Sequence, residues 1–483
     1  MKKYTIMFLC LFALFFSAVC PGVYGQGSDA DLKKKVDKME EMLNELKGQL
    51  KQQTEATDEL MSMREEIKNI SAPTAPTASD DDFYWAKKSQ DLVDKGLAPV
   101  FGRQYGKPFL RRFGRHTYIG GYMDHELQFS QGQGKKKGKD TTFDQHRLIP
   151  FIYSDVSDRV KFATEIEIEH GGPSSATGGD IAIGDGGIDI EFATIDFLMT
   201  DWFNYRGGVI LSPLGKFNLV HDSPLQDLTE RPMVSTNIIP TTLSESGMGF
   251  FGTFYPTEIS KLDYEIYAVN GFQALEDDGT RSTTDPDKYI RNSRGSYSKD
   301  NNTNFAIVGR LAYSPFLGLE IGGSFHTGTV DERNRNRLTI TALDWTYQRG
   351  PFELVGEMAR AHFNRDGVIA TGAQVSDLLP GDSFGYYVEP RYHFMPQFLK
   401  DLAPTVFTEN STFTGVVRLG EIDLGTVGNG NGERTRTRLT PGINFRYTED
   451  TVFKAEYQFN WESGRAITDE TNNVLLFSVA TYF

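Results

Sequence analysis

Arginines near the C-terminal end of the chain recur at every second position. Arg434, Arg436 and Arg438 are separated by single threonines, and Arg446 lies further along the same stretch. Side chains two residues apart on a β-strand leave the same face at steps of about 7 Å, so these arginines would form a ladder. Guanidinium groups bind carboxylates and phosphates in forks, and a row of them can pass an anion along. The alternative is a set of ion pairs that stiffens a wall.

Carboxylates follow the same spacing in the first half of the chain. Glu165, Glu167 and Glu169 would leave one face of one strand, and Asp189 and Glu191 would leave one face of the next. A stripe of this sign facing the arginine ladder would set up an electric field across the space between them. Charges are costly in an apolar interior, so both stripes require water beside them.

The segments that carry these charges alternate between apolar and polar residues. Near residue 390, Phe384, Tyr386 and Val388 alternate with Glu389 and Arg391. From about Thr117 onward, segments of roughly ten residues repeat this pattern, which is typical of a transmembrane β-barrel. A soluble β-sandwich also alternates, but it does not collect so many charges on one face and aromatic residues on the other. Arg391 would therefore face a wet interior.

Long and short connections alternate between these segments. Short turns separate most of the long connections, although the turn from Met395 to Pro404 is longer than this rule prefers. Eight long and seven short connections predict an all-β barrel of about 16 antiparallel strands over residues 117–483, with both ends on one side. The long connections are at about 131–142, 171–186, 212–244, 271–303, 330–336, 364–383, 424–433 and 462–473.

The third long connection, residues 212–244, is rich in proline and carries Lys216 and Arg231. If it folds into the barrel, these two cations meet the charges of the wall in confined water, where electric fields are strong. An ordinary surface loop is the alternative. Folded inward, the connection would bring Lys216 and Arg231 into the set of anion-binding candidates.

The N-terminal quarter of the chain has a different pattern. Lys2 and Lys3 precede an apolar run and small residues, which predicts a signal peptide over residues 1–25; lipidation at Cys20 is the alternative. Spacings of 4 and 3 then predict a periplasmic coiled coil over 29–70, or else one amphipathic helix on a neighbouring surface. Residues 71–116 are expected to be a linker that leads into the barrel. The coiled-coil positions are Leu32, Val36, Met39, Leu43, Leu46, Leu50, Leu60, Met63, Ile67 and Ile70.

Composition and motifs exclude several classes of function. The formal net charge of −15 argues against a nucleic-acid partner. Cys10 and Cys20 both precede the expected cleavage, and the eight histidines show no ligand spacing, so we expect neither a metal nor a cofactor. Gly381 to Gly385 matches the G-x-S-x-G pattern of hydrolases, but it leads into an alternating strand rather than a strand–turn–helix elbow. The sequence therefore predicts a protein that is not an enzyme.

The last residues, Leu475, Phe477, Val479, Thr481 and Phe483, form an alternating strand. It resembles the C-terminal signature strand of bacterial outer-membrane barrels. With the signal, helical segment, strand count and interior arginines, the chain resembles the phosphate-selective porin O and P family, and its stalk resembles that of DcaP-like trimeric porins. General porins also fold their third long loop inward.

The resemblance implies an outer-membrane porin that forms a homotrimer and passes small anionic solutes such as phosphate or carboxylates. Its other contacts would be membrane lipid and lipopolysaccharide, for which the basic run Lys135, Lys136, Lys137 and Lys139 is a candidate. The acidic stripes depart from the basic channel of that family. The alternative function is a structural anchor whose coiled coil binds a periplasmic partner or the cell wall.

Overall fold

The computed structural model describes residues 111–113, 116–130, 140–170, 187–275, 288–367, 372, 374–425, 434–464 and 472–483. Seventeen β-strands make up most of this part of the chain. They are β1 Arg111–Phe113, β2 Thr117–Ser130, β3 Asp140–Asp155, β4 Val160–Glu169, β5 Ile188–Leu198, β6 Asn204–Leu211, β7 Ser244–Thr257, β8 Ser260–Val269, β9 Ala306–Phe316, β10 Leu319–Thr329, β11 Arg337–Arg349, β12 Phe352–Phe363, β13 Asp382–Phe394, β14 Thr412–Asp423, β15 Arg434–Arg446, β16 Thr451–Gly464 and β17 Val474–Tyr482.

Strands β2 to β17 pair antiparallel in chain order and close into a ring. The ring closes where β17 pairs with β2, from Val474 opposite Ser130 to Tyr482 opposite Tyr122. The Phe483 N–H then donates to the Gly121 carbonyl at 2.9 Å. Sixteen of the seventeen strands thus form a closed antiparallel β-barrel, and the expected strand count is confirmed.

The short strand β1 is an addition that the sequence did not predict. Arg111 pairs with Ile119 and Phe113 with Thr117, on the edge of β2 that continues past the end of β17. Three residues are too few to show an alternating pattern, which is why this segment was expected to belong to the linker over 71–116.

Alternation along each strand separates an apolar outer face from the inner face. Outward side chains such as Leu311 and Phe453 are 57% and 50% exposed, whereas their neighbours Arg310 and Lys454 are buried. This pattern is typical of a barrel with its apolar side outward and its polar side inward. No helix in the described ranges combines the length and the hydropathy that a membrane-spanning helix needs.

Connections alternate in length around the ring, as the sequence predicts. The short ones include 156–159, 258–259, 317–318 and 350–351; the longer turn 395–411 contains helix α3, Gln397–Leu402. On the opposite side, residues 212–243 form the third long connection, called the inner loop below. It contains two 3-10 turns, Phe217–Leu219 and Ser223–Leu225, and helix α1, Val234–Asn237. Helix α2, Tyr289–Asn292, lies in the fourth long connection, and a 3-10 turn, Val375–Asp377, in the sixth.

The inner loop folds inside the barrel and packs on an apolar cluster. Val234, Ile238 and Ile239 are fully buried there. The same cluster contains inward residues of β9, β11 and β12, although Arg310, Asp344 and Glu357 lie further along these inner faces. The expectation of a charged interior therefore holds for only part of the ring. The inward wall residues of this cluster include Val308, Leu338, Ile340, Ala342, Ala359, Ala361 and Phe363.

Several predicted segments lie outside the described residues. These are the signal peptide at 1–25, the coiled coil at 29–70 and most of the linker at 71–116. The basic run Lys135, Lys136, Lys137 and Lys139 also falls outside them.

Candidate functional site

Asp227 fixes the inner loop to the wall formed by β13 and β15. Its carboxylate lies 3.1 Å from Arg391 Nη1 and 3.0 Å from Arg446 Nη2, and it accepts a hydrogen bond from Asn444 Nδ2 at 3.0 Å. Arg446 also donates to the Pro224 carbonyl at 2.6 Å. Asp227 is buried, so removing its charge would leave two arginines without this partner. It therefore acts as a clamp between the loop and the wall.

A second attachment holds the other end of the inner loop on β12. Buried Glu357 accepts hydrogen bonds from the Phe217 N–H at 3.0 Å and from Ser235 Oγ at 2.8 Å. Lys216 Nζ lies 3.1 Å from Glu320 and donates to Thr346 Oγ1 at 2.8 Å. Lys216 therefore faces the interior, but in an ion pair with the wall.

The structure sorts the predicted anion-binding cations into two groups. Arg391, Arg446 and Lys216 are held in ion pairs; Arg391 also contacts Glu389 at 2.6 Å and Glu353 at 3.1 Å. These three cations therefore fit the alternative interpretation of the sequence, in which ion pairs stiffen the wall.

The other members of the ladder have fewer charged partners. Arg436 Nε lies 3.2 Å from Glu462, and Arg438 Nε donates to Asn460 Oδ1 at 2.6 Å. Both point inward, on the same face of β15 as Thr440 and Asn444. Arg434 belongs to β15, but its side chain lies outside the described part of the chain. Arg438 therefore hydrogen-bonds to a neutral acceptor, and the carboxylates Glu230 and Glu456 lie nearby without a direct contact.

The carboxylate stripe of β4 faces inward and meets β3. Arg147 Nε lies 3.3 Å from both Glu167 and Glu169, and Glu165 is fully buried on the same face. On β5, Glu191 pairs with His221 of the inner loop and accepts from Thr242 Oγ1 at 3.0 Å. Asp189 is exposed at the start of β5. Most of the acidic stripe therefore already has partners in the wall and the loop.

A β-bulge in β3 brings together residues that the sequence spacing did not connect. The register between β2 and β3 shifts between Asp124 and Glu126, so that His146 and Arg147 both point inward. Asp124, Glu126 and His146 then offer three ligand atoms within 4.8 Å of one another, although no metal motif was visible in the sequence. Arg147 Nη1 lies 3.3 Å from Asp124 and 3.4 Å from His146 Nδ1. The guanidinium takes the place that a metal ion would need.

Sequence reasoning missed two arginines in the fourth long connection. Arg291 and Arg294 reach the inner loop next to Arg231, and the three guanidiniums donate to the carbonyls of Thr241 and Thr242. Arg291 and Arg294 are three positions apart across a short helical turn, a spacing that places them on one side. This spacing is visible in the sequence and could have indicated that the two arginines lie together. The segment was interpreted only as a loop.

The hydrolase-like motif has no catalytic geometry. Ser383 is the second residue of β13, and its hydroxyl donates to the Leu424 carbonyl at 2.9 Å. A nucleophile elbow needs a sharp turn from a strand into a helix, which is not the environment of Ser383. The motif is therefore part of the barrel wall.

Comparisons with known sequences give one relative and no family. No family model matches the chain. An uncharacterized protein from Aquifex aeolicus (strain VF5) is 28% identical over 313 residues, which cover 63% of this chain and 66% of the relative, a little under two thirds of its length.

Similar solved structures are outer-membrane barrels. They include an anion-selective porin from Comamonas acidovorans (11% identity, TM-score 0.48, 76% of this chain and 99% of that one). The channel DcaP of Acinetobacter baumannii has 11% identity and a TM-score of 0.46 over 76% and 97% of the chains. OmpF of Salmonella typhi in complex with daunomycin has 11% identity and a TM-score of 0.49 over 76% and 97%.

Proposed function

We propose that the chain is an outer-membrane porin through which small polar solutes diffuse passively. The observation that carries this proposal is the inner loop, which is folded inside a closed barrel and clamped to one wall through Asp227. A barrel with an apolar outer face and charges inside suits a membrane with water within the ring. A loop clamped there would set the width and the charge of the remaining passage.

The charges favour small anions, phosphate or carboxylates, as the solutes. Arg438 and Arg231 make no hydrogen bond to a carboxylate among the described residues, although Glu230 and Glu456 lie near Arg438, and Glu167 and Glu169 lie near Arg231. A positive charge without a direct carboxylate contact in a narrow aqueous space raises the local concentration of anions. Membership in the phosphate-selective porin O and P family is part of this proposal.

The N-terminal segment and the surroundings complete the proposal. A signal peptide at 1–25 would direct export, a coiled coil at 29–70 would join three copies in the periplasm, and residues 71–116 would link it to the barrel. Lipid would contact the outer face, and Lys135, Lys136, Lys137 and Lys139 would meet lipopolysaccharide phosphates at the outer surface.

Planar-bilayer recording tests the pore. Full-length protein should give conductance steps in groups of three and an anion-selective reversal potential in a potassium chloride gradient. Added phosphate or succinate should reduce the chloride current by competing for the same cations. Correctly folded trimers that leave the bilayer silent would disprove the porin.

One observation favours a second candidate, an anchoring protein with a closed barrel. The apolar cluster joins the inner loop to the fourth and sixth long connections and the wall, so this part of the interior is filled. Folded, silent trimers whose residues 29–70 retain a periplasmic protein or cell-wall fragments would support this candidate. Removing residues 29–70 should then abolish the retention, while the barrel still folds.

A further inference from the structure

Two histidines lie side by side at the end of β4. His170 follows the last residue of this strand, and its N–H donates to the carbonyl of His146 on β3 at 3.2 Å. The two rings stack, with 5.4 Å between their centroids and 21° between their planes. The bulge turns His146 inward, and a left-handed backbone at His170, with a φ of 48°, places its ring against that of His146. The two residues are far apart in the sequence, so no ligand spacing was visible there.

Each ring is oriented by a carboxylate of its own. His146 Nδ1 lies 2.6 Å from Glu126 Oε1, and His170 Nδ1 lies 2.9 Å from Asp144 Oδ1. A carboxylate that accepts from Nδ1–H leaves Nε2 unprotonated, and it makes this nitrogen a stronger metal ligand. Metal-binding histidines in proteins are held in the same way by a carboxylate or a carbonyl group. The pair therefore presents two Nε2 atoms that are prepared to bind a metal ion.

Both Nε2 atoms are open to a ligand. Neither has a hydrogen-bond partner in the part of the chain that the structure describes. The side chains of His146 and His170 are 20% and 45% exposed, so solvent reaches them. Arg147 Nη1 contacts His146 at Nδ1, at 3.4 Å, which is the side of the ring that faces Glu126. The guanidinium thus occupies the Nδ1 side and leaves the Nε2 side open.

The charges around the pair favour a cation. Asp124 Oδ2 lies 3.8 Å from His146 Nδ1, and Glu169 directly precedes His170. Together with the two orienting carboxylates, these groups outnumber Arg147, which lies beside His146. Carboxylates in a confined space raise the local concentration of cations. Imidazole nitrogen suits zinc, copper and nickel, whereas magnesium and calcium prefer oxygen ligands.

We propose that His146 and His170 bind a divalent transition-metal ion, such as zinc, through their two Nε2 atoms. Tetrahedral bonds of about 2.0–2.1 Å place two ligand nitrogens about 3.3 Å apart. Rings whose centroids are 5.4 Å apart can reach this separation by rotating about their χ2 bonds. Water or an oxygen atom of a solute would complete the coordination. The inference goes beyond the proposed porin, because the histidine pair can bind a metal whether or not solutes pass.

Equilibrium dialysis with radioactive zinc tests the site. The protein is the full-length chain without an affinity tag, refolded in detergent and treated with a chelator before zinc is added. We expect saturable binding at micromolar zinc, weakened at least tenfold in His146→Ala and in His170→Ala because one imidazole cannot chelate. Asp144→Asn keeps both ligands but loses the carboxylate that orients His170, so it should weaken binding about tenfold.

Copper(II) gives a second measurement of the same site. The electron paramagnetic resonance spectrum of the wild type with copper should show coupling to two nitrogens. This two-nitrogen signal should be lost in either alanine variant, because each retains one ring of the pair.

His362→Ala is the matched control. His362 also has its Nδ1 3.0 Å from a carboxylate, that of Asp382, but it lies on the outer face and its described partner is not a second histidine. This change should leave zinc affinity unchanged. The heat-dependent shift of the folded barrel on a gel verifies folding of each variant. If His146→Ala does not fold, the exposed His170→Ala supplies the test.

Two results would overturn the site. One is a wild type that binds no zinc saturably, and the other is a folded His170→Ala that binds zinc as the wild type does. A merely structural role of the pair would lower the stability of the variants and leave zinc affinity unchanged.

Discussion

The inside of the barrel is built in two chemically different ways. Inward residues of β9, β11 and β12, among them Val308, Ile340 and Ala359, belong to one apolar cluster with Val234 and Ile238 of the inner loop. Along β13, β15 and β16 the same loop is held by ion pairs and by arginines or Lys454 that donate to its backbone carbonyls. The first region is mainly apolar, and the second is charged.

The difference separates two tasks. Apolar contact stabilises the loop in proportion to the area it buries but hardly fixes its direction. Paired charges contribute less net stability because desolvation is costly, yet they fix which groups meet. The apolar side therefore keeps the loop inside the ring, and the charged side sets its position and leaves polar groups for solutes.

The largest effect should follow from a charge placed in the apolar cluster. Ile238 of this cluster is fully buried near Gly385 on β13 and Ile422 on β14. Ile238→Asp should lower the free energy of unfolding by more than about 4 kcal/mol, because it removes a buried side chain and buries an unpaired carboxylate. Urea unfolding in detergent measures this, and single-channel conductance should rise as the loop detaches.

Ile238→Val is the control for that change and should cost about 1 kcal/mol. Equal unfolding midpoints for the aspartate and valine variants would contradict the apolar attachment.

A smaller effect is expected on the charged side. Asp227→Asn should cost about 3 kcal/mol, because Arg391 and Arg446 lose a buried counter-charge. The loop should remain inside on its apolar contacts but fluctuate, which would appear as added noise in the open-channel current. Asp227→Glu keeps the charge and should behave more like the wild type. A quiet channel with wild-type stability in Asp227→Asn would show that the clamp is not needed.

Changes on the β15 ladder should affect selectivity with little effect on stability. Arg438→Gln should reduce the chloride-to-potassium permeability ratio by roughly two- to threefold, and Arg436→Gln by less, because Glu462 already offsets Arg436. Reversal potentials in a salt gradient measure both. Arg349→Gln on the outer face is the matched control. Equal permeability ratios for all three variants would show that the ladder does not line the passage.

Local pattern was enough to predict the barrel. A period of two and alternating connection lengths are properties of short stretches, so the strand count and the inward faces of β4, β13 and β15 were visible in the sequence. Strand β1 was missed because three residues carry no period. The apolar inner face along β11 was not anticipated, since its alternation looks the same whichever face is turned inward.

The pairing of charges could not be predicted in the same way. Asp227 contacts Arg446, which lies in a distant part of the chain, and no local spacing of residues predicts such a contact. The bulge in β3 turns Arg147 and His146 to one side, against the period that places them on opposite faces. Arg291 and Arg294 lie in a connection where only length was informative. The alternating pattern was therefore enough to identify the barrel wall. Long-range contacts, which the pattern does not show, determine which charges remain available to solutes.

The closure of the ring has a consequence for how the barrel assembles. Every strand pair but one joins consecutive strands, so hairpins can form locally as the chain emerges. The exception is β17 with β2, which brings Tyr482 to Tyr122 across the whole barrel sequence. Only the pairing of β17 with β2 therefore carries the entropic cost of closing a very long loop. Barrel formation should therefore be slowest at its final step, when β17 docks beside β2.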